Sequence, residues 1–200
     1  MTPVRVAVLA SGGGTNLQAL LDALHGESIP AGARVALVVS NQRSAGAIER
    51  ARGAGIPAKV LEHPDDPAEL LTALGPDTDL VVLAGYLKLV PPAVVARFRW
   101  RMINIHPALL PAHGGPGMYG HRVHEAVLAS GAAESGATVH YVDEQYDRGP
   151  IIAQARVPVR PGDTAETLAA RVLEAEHRLL PRVVLELARR GLPNEPVRIA

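Results

Sequence analysis

The chain has 200 residues, of which 48% are hydrophobic and 20% are charged, as is usual for a soluble globular domain. Its 20 basic and 20 acidic residues give a formal net charge of zero, so no overall charge attracts nucleic acid or an anionic membrane. Cysteine is absent, which excludes disulfides and thiolate metal sites. The sequence starts directly in a predicted strand and shows no signal peptide or apolar run long enough to span a bilayer. We therefore expect a cytoplasmic protein.

Apolar runs typical of strands alternate with stretches that have helical spacing. Strands are predicted at residues 4–10, 34–40, 58–61, 80–84, 102–106, 137–143 and 151–159. Helices are predicted at residues 16–24, 45–54, 67–74, 92–98, 121–130 and 164–190. Pro181 lies inside the last of these, so a kink or a break is expected there. Residues 193–200 are expected to form a small terminal strand or to fray.

This alternation predicts an α/β fold in one domain. A central, mostly parallel sheet of about seven strands would carry helices on both faces. The segment 144–150 between the last two predicted strands is too short for a crossover connection. It therefore predicts an antiparallel hairpin at the C-terminal end of the sheet.

The fifth predicted strand ends in Asn104-Ile105-His106-Pro107. Asn104 and His106 are two residues apart and so point to the same face of a strand, and Pro107 stops the ladder directly after them. Ligands bind at the carboxyl ends of strands in open α/β sheets. An amide donor beside a titratable base can there stabilise an oxyanion and move a proton. The alternative is a capped strand end with a buried structural histidine.

A glycine-rich turn, Ser11-Gly12-Gly13-Gly14-Thr15-Asn16, joins the first strand to the first helix. Glycines let the backbone approach a ligand, and the start of a helix offers unpaired amides to an anion. Thr15 or Asn16 can cap the helix or bind phosphate oxygens. Neither the third glycine of the dinucleotide fingerprint nor a Walker lysine is present. The turn predicts a phosphate site, and the alternative is a tight strand-to-helix connection.

Two further sets of polar residues are less specific. Asp147 lies in the loop between the last two strands, where aspartate usually forms a turn, and the sequence does not show whether it reaches His106. Histidines at 106, 113, 121, 124, 140 and 177 are of a type that binds zinc. No His-Glu-x-x-His pattern is present, so no metal site is predicted.

Five segments occur in the order and near the spacing of one known family. They are residues 11–19, 84–88, 103–111, 138–140 and 147–152, and they include Asn104-Ile105-His106-Pro107 and Asp147-Arg148-Gly149-Pro150. Together they resemble the phosphoribosylglycinamide formyltransferases, a branch of the folate-dependent formyltransferases. The resemblance implies a single Rossmann-like formyltransferase domain over residues 1–200. Its N-terminal part would bind the phosphate and nucleotide, and its C-terminal part would bind folate.

The resemblance also implies the reaction and the residues that serve it. A formyl group would pass from 10-formyltetrahydrofolate to the amine of glycinamide ribonucleotide, a step of purine biosynthesis, through an oxyanionic tetrahedral intermediate. The implied catalytic residues are Asn104, His106 and Asp147. The implied phosphate-binding residues are Gly13, Gly14, Thr15 and Asn16, and Glu176 would contact the same substrate. The implied folate-binding residues are Leu87, Lys88, Leu89, Asn104, Tyr141, Val142 and Asp143.

The expected partners are these two small molecules. The folate is a cosubstrate, no tightly bound cofactor or metal is expected, no nucleic acid or membrane partner is expected, and a homodimer is left open. Two features depart from the family pattern. Lys88 stands where many members have arginine, and the loop at residues 112–120 is longer and richer in glycine than the proline–glycine loop of the family. The alternatives are formyl transfer to another acceptor such as methionyl-tRNA, hydrolysis of the formyl donor, a dinucleotide-dependent oxidoreductase, and a nucleotide-binding protein without catalysis.

Overall fold

The computed structural model describes residues 2–25 and 32–199. The described residues form seven strands: Val4–Leu9 (β1), Ala33–Ser40 (β2), Ala58–Val60 (β3), Leu80–Leu83 (β4), Met102–His106 (β5), Glu134–Tyr141 (β6) and Ile151–Pro158 (β7). They also form six helices: Thr15–Leu24 (α1), Gly46–Gly53 (α2), Pro67–Leu74 (α3), Pro92–Arg97 (α4), His121–Ala129 (α5) and Ala165–Arg189 (α6).

The strands make one sheet in the order β3-β2-β1-β4-β5-β6-β7. The pairs from β3 to β5 are parallel, whereas β6 is antiparallel to both β5 and β7. The predicted mostly parallel sheet with an antiparallel C-terminal hairpin is therefore confirmed. The change of direction at β5 places the end of a parallel strand against an antiparallel neighbour, and the polar cluster described below lies there.

Both faces of the sheet are covered, as the uninterrupted apolar strands predict. Val6 and Val8 of β1 face a core formed with α1, α2, α5 and α6. Ala7 and Leu9 face a second core formed with α3 and α4. Alternate residues of the same strand thus serve opposite faces, which holds the sheet rigidly between two helical layers.

Helix α6 is the longest element, with 25 residues. It begins at a capping box in which Thr164 and Thr167 satisfy each other's backbone amides. The break expected at Pro181 is not present, and the helix continues to Arg189. Pro181 removes one helical hydrogen bond, but Leu180, Val183 and Val184 around it are fully buried in the core. Packing of this face keeps the helix continuous where the local sequence favours interruption.

The described part of the C-terminal segment, residues 193–199, forms no strand and is attached to the sheet at its end. Ile199 is buried, and its N–H donates to the carbonyl of Ile152 in β7 at 2.7 Å. The last residue of the predicted terminal element, Ala200, lies outside the described residues. Of the helices in residues 2–25 and 32–199, none combines the length and the apolar character that crossing a membrane requires.

Candidate active site

The carboxyl end of β5 presents Asn104 and His106 to one cavity. Residues on β6 stand directly opposite, and the register pairs Asn104 with His140 and His106 with Thr138. Nδ2 of Asn104 lies 3.0 Å from Nε2 of His140. His140 is buried, so the antiparallel pairing adds a second imidazole to the end of β5.

Asp147 joins this cluster from the loop between β6 and β7. Its Oδ2 lies 3.5 Å from Nδ1 of His106, and its Oδ1 lies 3.4 Å from Nε2 of His140. Nδ2 of Asn104 is also 3.4 Å from Oδ1. The N–H of Gly115 donates to Oδ2 at 2.9 Å and holds the carboxylate in place. Four side chains from three segments therefore converge on one point.

The backbone of the loop that carries Asp147 is closely constrained. Asp147 itself has a φ of 56°, in the left-handed region that aspartate tolerates better than most residues. A Cβ atom on Gly149 would overlap the carbonyl oxygen of Tyr141. Glycine at 149 thus lets the loop pack against the end of β6, which aims Asp147 at the histidines.

Two carbonyl groups fix the tautomers of the imidazoles. Nε2 of His106 lies 2.8 Å from the carbonyl oxygen of His113, and Nδ1 of His140 lies 2.8 Å from that of Tyr141. A carbonyl only accepts, so each of these nitrogens carries a hydrogen. The other nitrogen of each ring faces Asp147 and is protonated only when the ring is cationic. A proton that enters the cluster would lie between the carboxylate and an imidazole.

The charges of the cluster follow from burial and from mutual attraction. Burial lowers the pKa of His106 below its usual value, although the carboxylate of Asp147 opposes this shift. Burial alone would raise the pKa of Asp147, but the hydrogen bond with His140, the charge of His106 and the Gly115 N–H together lower it. The lowered pKa values make the resting cluster a carboxylate at Asp147 beside a neutral imidazole at His106, which is an arrangement that accepts a proton.

The cluster lines a cavity of about 590 Å³. The exposed large hydrophobic side chains Leu87, Leu89, Tyr119 and Tyr146 all line this same cavity. Exposed apolar groups gathered at one place are typical of a ligand-binding surface. Of the predicted folate-binding residues, the cavity is lined by Leu87, Lys88, Leu89, Asn104, Val142 and Asp143. Tyr141 has its side chain in the core against Trp100 and touches the cluster only through its carbonyl oxygen.

Asn16 and Glu176 line another part of the same cavity. Both are buried, and Nδ2 of Asn16 donates to Oε2 of Glu176 at 2.5 Å. Burial raises the pKa of Glu176 to about 7, against the opposing effect of this hydrogen bond. Oδ1 of Asn16 is buried and has no hydrogen-bond partner among the described residues. The pair thus offers polar atoms to a ligand at neutral pH.

The glycine-rich turn lies beside this pair but outside the main cavity. Gly14 has a φ of 73° and is the N-cap of α1, and neither Thr15 nor Asn16 caps the helix with its side chain. A Cβ on Gly14 would lie 2.7 Å from Cα of Ala47, so only glycine lets α2 approach this closely. Gly13 is exposed, and its carbonyl accepts from Nε of Arg50 at 2.8 Å. Of the four predicted phosphate-binding residues, Asn16 alone lines the main cavity.

The two departures from the family pattern are both next to the cavity. Nζ of Lys88 lies 3.4 Å from Oδ2 of Asp65, in an exposed ion pair at the mouth. The glycine-rich segment after Pro111 packs on the cluster, because a Cβ on Gly114 would lie 3.1 Å from Cβ of Asp147. Glycine at 114 therefore lets the backbone reach Asp147, and the N–H of Gly115 donates to it.

Sequence reasoning missed two members of the cluster, His140 and the N–H of Gly115. The alternation along residues 138–140 places His140 on one face of a strand, but only the register with β5 brings it to Asn104. His124 of α5 also lines the cavity, and burial lowers its pKa to about 4, with a further effect from the charge of His121. In residues 2–25 and 32–199, His and acidic side chains form no group of three or more that could hold a metal ion.

Residues 4–184 match the sequence profile described as formyl transferase. The chain belongs to the formyl transferase family. A phosphoribosylglycinamide formyltransferase of Haemophilus influenzae is 40% identical over 189 residues, which are 90% of this chain and 85% of that protein. A structure of phosphoribosylglycinamide formyltransferase from Anaplasma phagocytophilum is 39% identical, with a TM-score of 0.87 over 94% of this chain and 88% of that one.

The plant members of the family are longer than this chain. The chloroplastic phosphoribosylglycinamide formyltransferase of Arabidopsis thaliana is 47% identical over 188 residues, which cover 90% of this chain. The chain spans 64% of the length of that protein, and so less than two thirds of it. The likeness therefore covers nearly all of this chain and only part of the plant relative.

Proposed function

We propose that this protein transfers a formyl group from 10-formyltetrahydrofolate to the amine of glycinamide ribonucleotide. The observation that carries the proposal is the convergence of Asn104, His106 and Asp147 in one cavity, with Asp147 3.5 Å from His106 and 3.4 Å from Asn104. An amide donor can stabilise the oxyanion of acyl transfer to an amine, and an imidazole with a carboxylate can move the proton. The relatives named above carry phosphoribosylglycinamide formyltransferase in their names, which supports the acceptor of this proposal.

The two substrates would occupy different parts of the cavity. The exposed apolar residues Leu87 and Leu89, with Val142, suit the flat ring system of a folate. The acceptor would lie over Asn16 and Glu176, with its phosphate toward the glycine-rich turn. In outline, the turn at residues 11–16 serves the nucleotide and the segment 141–147 serves the folate, within one domain. The folate is consumed as a cosubstrate, and the chemistry needs neither a bound cofactor nor a metal.

In the first step, the amine attacks the formyl carbon and a C–N bond forms. Negative charge moves to the formyl oxygen, which becomes the oxyanion of a tetrahedral intermediate. Asn104 donates one Nδ2 hydrogen to His140 at 3.0 Å, while its contact with Asp147 is longer, at 3.4 Å. The formyl oxygen would accept a hydrogen bond from the Nδ2 hydrogen that points to Asp147 in the longer contact. Loss of one such donor typically lowers the rate by about 10²–10³-fold.

In the second step, the proton of the attacking amine leaves and the bond to the folate breaks. Asp147 and the bare nitrogen of His106 accept a proton between them, as the fixed tautomers require. The cluster then returns this proton to N10 of the folate as the C–N10 bond breaks and the carbonyl reforms. The proton lost by the amine is gained by the leaving nitrogen, so no covalent enzyme intermediate is needed.

The experiment that tests the proposal is a direct assay with both substrates. Formation of the deformylated folate is followed by absorbance, and the formylated ribonucleotide is identified by mass spectrometry. Omission of the ribonucleotide measures hydrolysis of the donor, and its replacement by methionyl-tRNA measures transfer to the other acceptor. Formylated ribonucleotide as the main product supports the proposal. Equal folate release without any amine acceptor contradicts it and favours the hydrolase.

A further inference from the structure

Residues 85–90 follow β4 as an irregular loop, and all six of them line the catalytic cavity. Tyr86 and Val90, near its two ends, have side chains buried in the core formed with α3 and α4. Between them, the exposed side chains of Leu87 and Leu89 present apolar surface to the cavity. Exposed side chains receive little support from packing, so the shape of this surface depends on how the backbone of the loop is held. We call residues 85–90 the 85–90 loop.

Ser11, two residues after the end of β1, holds the backbone of the 85–90 loop at two points. The N–H of Ser11 donates to the carbonyl of Gly85 at 3.0 Å, and the N–H of Leu87 donates to Oγ of Ser11 at 2.9 Å. In residues 2–25 and 32–199, no other backbone N–H of the loop donates a hydrogen bond. The ion pair of Lys88 with Asp65 is exposed and 3.4 Å long, so it contributes little. Ser11 is therefore the main polar attachment of the loop.

Asn41 determines which way the hydroxyl of Ser11 points. Oγ of Ser11 donates to Oδ1 of Asn41 at 2.6 Å. A hydroxyl has one hydrogen and two lone pairs, so this bond uses the hydrogen and turns a lone pair toward the N–H of Leu87. Asn41 follows β2 directly, and β2, β1 and β4 are adjacent in the sheet. One hydroxyl thus connects the segments that follow three neighbouring strands.

Neither Ser11 nor Asn41 lines the catalytic cavity. Ser11 is the first residue of the glycine-rich turn, but its hydroxyl hydrogen is taken by Asn41 and its oxygen accepts from Leu87. The effect of Ser11 on a ligand in the cavity therefore passes through the 85–90 loop rather than through direct contact.

We propose that Ser11 is a positioning residue for the formyl donor, because its hydroxyl, oriented by Asn41, holds the 85–90 loop in the shape that binds the folate. This inference rests on the proposed function, which assigns the loop to the folate. Without the hydroxyl, the N–H of Leu87 loses its partner, and a smaller fraction of the molecules has the loop in the binding shape. The apparent affinity for the folate falls by that fraction. A serine of the glycine-rich turn thus serves the donor and not only the acceptor.

The test compares Ser11→Ala with Ser40→Ala. Oγ of Ser40 is also an acceptor, from the N–H of Gln42 at 3.0 Å, at the end of the adjacent strand β2. Ser11→Ala should raise KM for 10-formyltetrahydrofolate about 3–10-fold, as expected for loss of one hydrogen bond between uncharged groups. KM for glycinamide ribonucleotide and kcat should change less than about twofold. Ser40→Ala should leave both KM values unchanged. Equal increases of the two KM values in Ser11→Ala, or the same change in both variants, would overturn the proposal.

Asn41→Ala is a second variant, which keeps the hydroxyl but releases its hydrogen. The hydroxyl can then turn, so KM for the donor should rise by a smaller factor than in Ser11→Ala, again without a change for the acceptor. Thermal unfolding followed by circular dichroism shows whether each variant is folded. If Ser11→Ala does not fold, an unchanged KM for the donor in folded Asn41→Ala overturns the proposal.

Binding of tetrahydrofolate, measured by calorimetry without an acceptor, separates this inference from the proposed function. Weaker binding to Ser11→Ala than to Ser40→Ala supports the role of Ser11 even if no formyl transfer to glycinamide ribonucleotide is found. Equal binding to the two variants contradicts that role even if the transfer is found. Absence of tetrahydrofolate binding to the unsubstituted protein would contradict both.

Discussion

Asn104 and His140 form a cross-strand pair at the point where the sheet changes from parallel to antiparallel, with Nδ2 of the amide 3.0 Å from Nε2 of the imidazole. The carbonyl of Tyr141 fixes the hydrogen of His140 on Nδ1, so Nε2 is an acceptor in the neutral ring. This acceptor determines which way the amide of Asn104 faces. His140 therefore orients the donor that we assign to the oxyanion, without itself having to contact the formyl group.

This relationship predicts non-additive effects of two substitutions. Asn104→Ala should lower kcat about 10²–10³-fold and change substrate binding much less, because an oxyanion donor acts in the transition state. His140→Ala should lower kcat by a smaller factor. If His140 acts through Asn104, the double variant should be no slower than Asn104→Ala alone. Kinetic constants of the three variants provide the measurement, and losses that multiply in the double variant would show that His140 acts independently.

Asp147 is the proton acceptor of the proposed mechanism, so its charge should be essential. Asp147→Asn should lower kcat about 10²–10⁴-fold, because the amide no longer accepts a proton. Glu144→Gln is the control, since Glu144 is an exposed carboxylate of the same loop. Near-normal turnover of Asp147→Asn, with thermal unfolding of both variants unchanged, would exclude the catalytic role.

Some residues of the site can be predicted from the sequence and others cannot. The difference is whether their position depends on neighbouring residues or on contacts with distant ones. Asn104 and His106 share a face because of the two-residue period of one strand, which is a local property. Asp147 is 41 residues beyond His106, and its position depends on the packing of Gly149 against Tyr141. His140 depends on the register between β5 and β6. Neither tertiary relation leaves a local pattern.

The elements of the fold also differ in whether local sequence or tertiary packing determines them. Apolar periodicity and the short 144–150 segment predict the sheet and its hairpin, because these depend on burial and loop length. Of the kink or break expected at Pro181, the break is wrong, since a buried helix face outweighs the local effect of proline. Tyr141 was predicted to bind folate, but its side chain is buried in the core and its ring packs on Trp100. The periodicity of the strand does not show which of its faces is turned to the core.

Glu176 should make stability depend on pH. Burial raises its pKa to about 7 from the usual 4.5, so between these values the folded protein holds a proton that the unfolded chain has released. Stability is therefore highest below pH 4.5 as far as this group is concerned, and falls as the pH rises through about 7. The full shift corresponds to about 3 kcal/mol of unfolding free energy.

Urea unfolding of the unsubstituted protein and of Glu176→Gln, each at pH 5 and pH 8, measures this contribution. The glutamine cannot ionise, and its amide can donate to Oδ1 of Asn16. The free energy of unfolding of the variant, minus that of the unsubstituted protein, should therefore be larger at pH 8 than at pH 5. The same pH dependence in both proteins would show that Glu176 titrates normally. Glu174→Gln is a matched control, because Glu174 lies on the same helix and is exposed.

Gly149 links the fold to the chemistry, because a side chain there would overlap the carbonyl oxygen of Tyr141. In Gly149→Ala the loop must move away from β6, and Asp147, two residues earlier, should move with it and lose its contacts with His106 and His140. We expect kcat to fall about as much as in Asp147→Asn, with destabilisation of about 1–3 kcal/mol from the steric conflict. Gly53→Ala is the control, since a Cβ at the end of α2 meets nothing within 4 Å. Loss of stability with normal kcat in Gly149→Ala would show that the position of Asp147 does not depend on this contact.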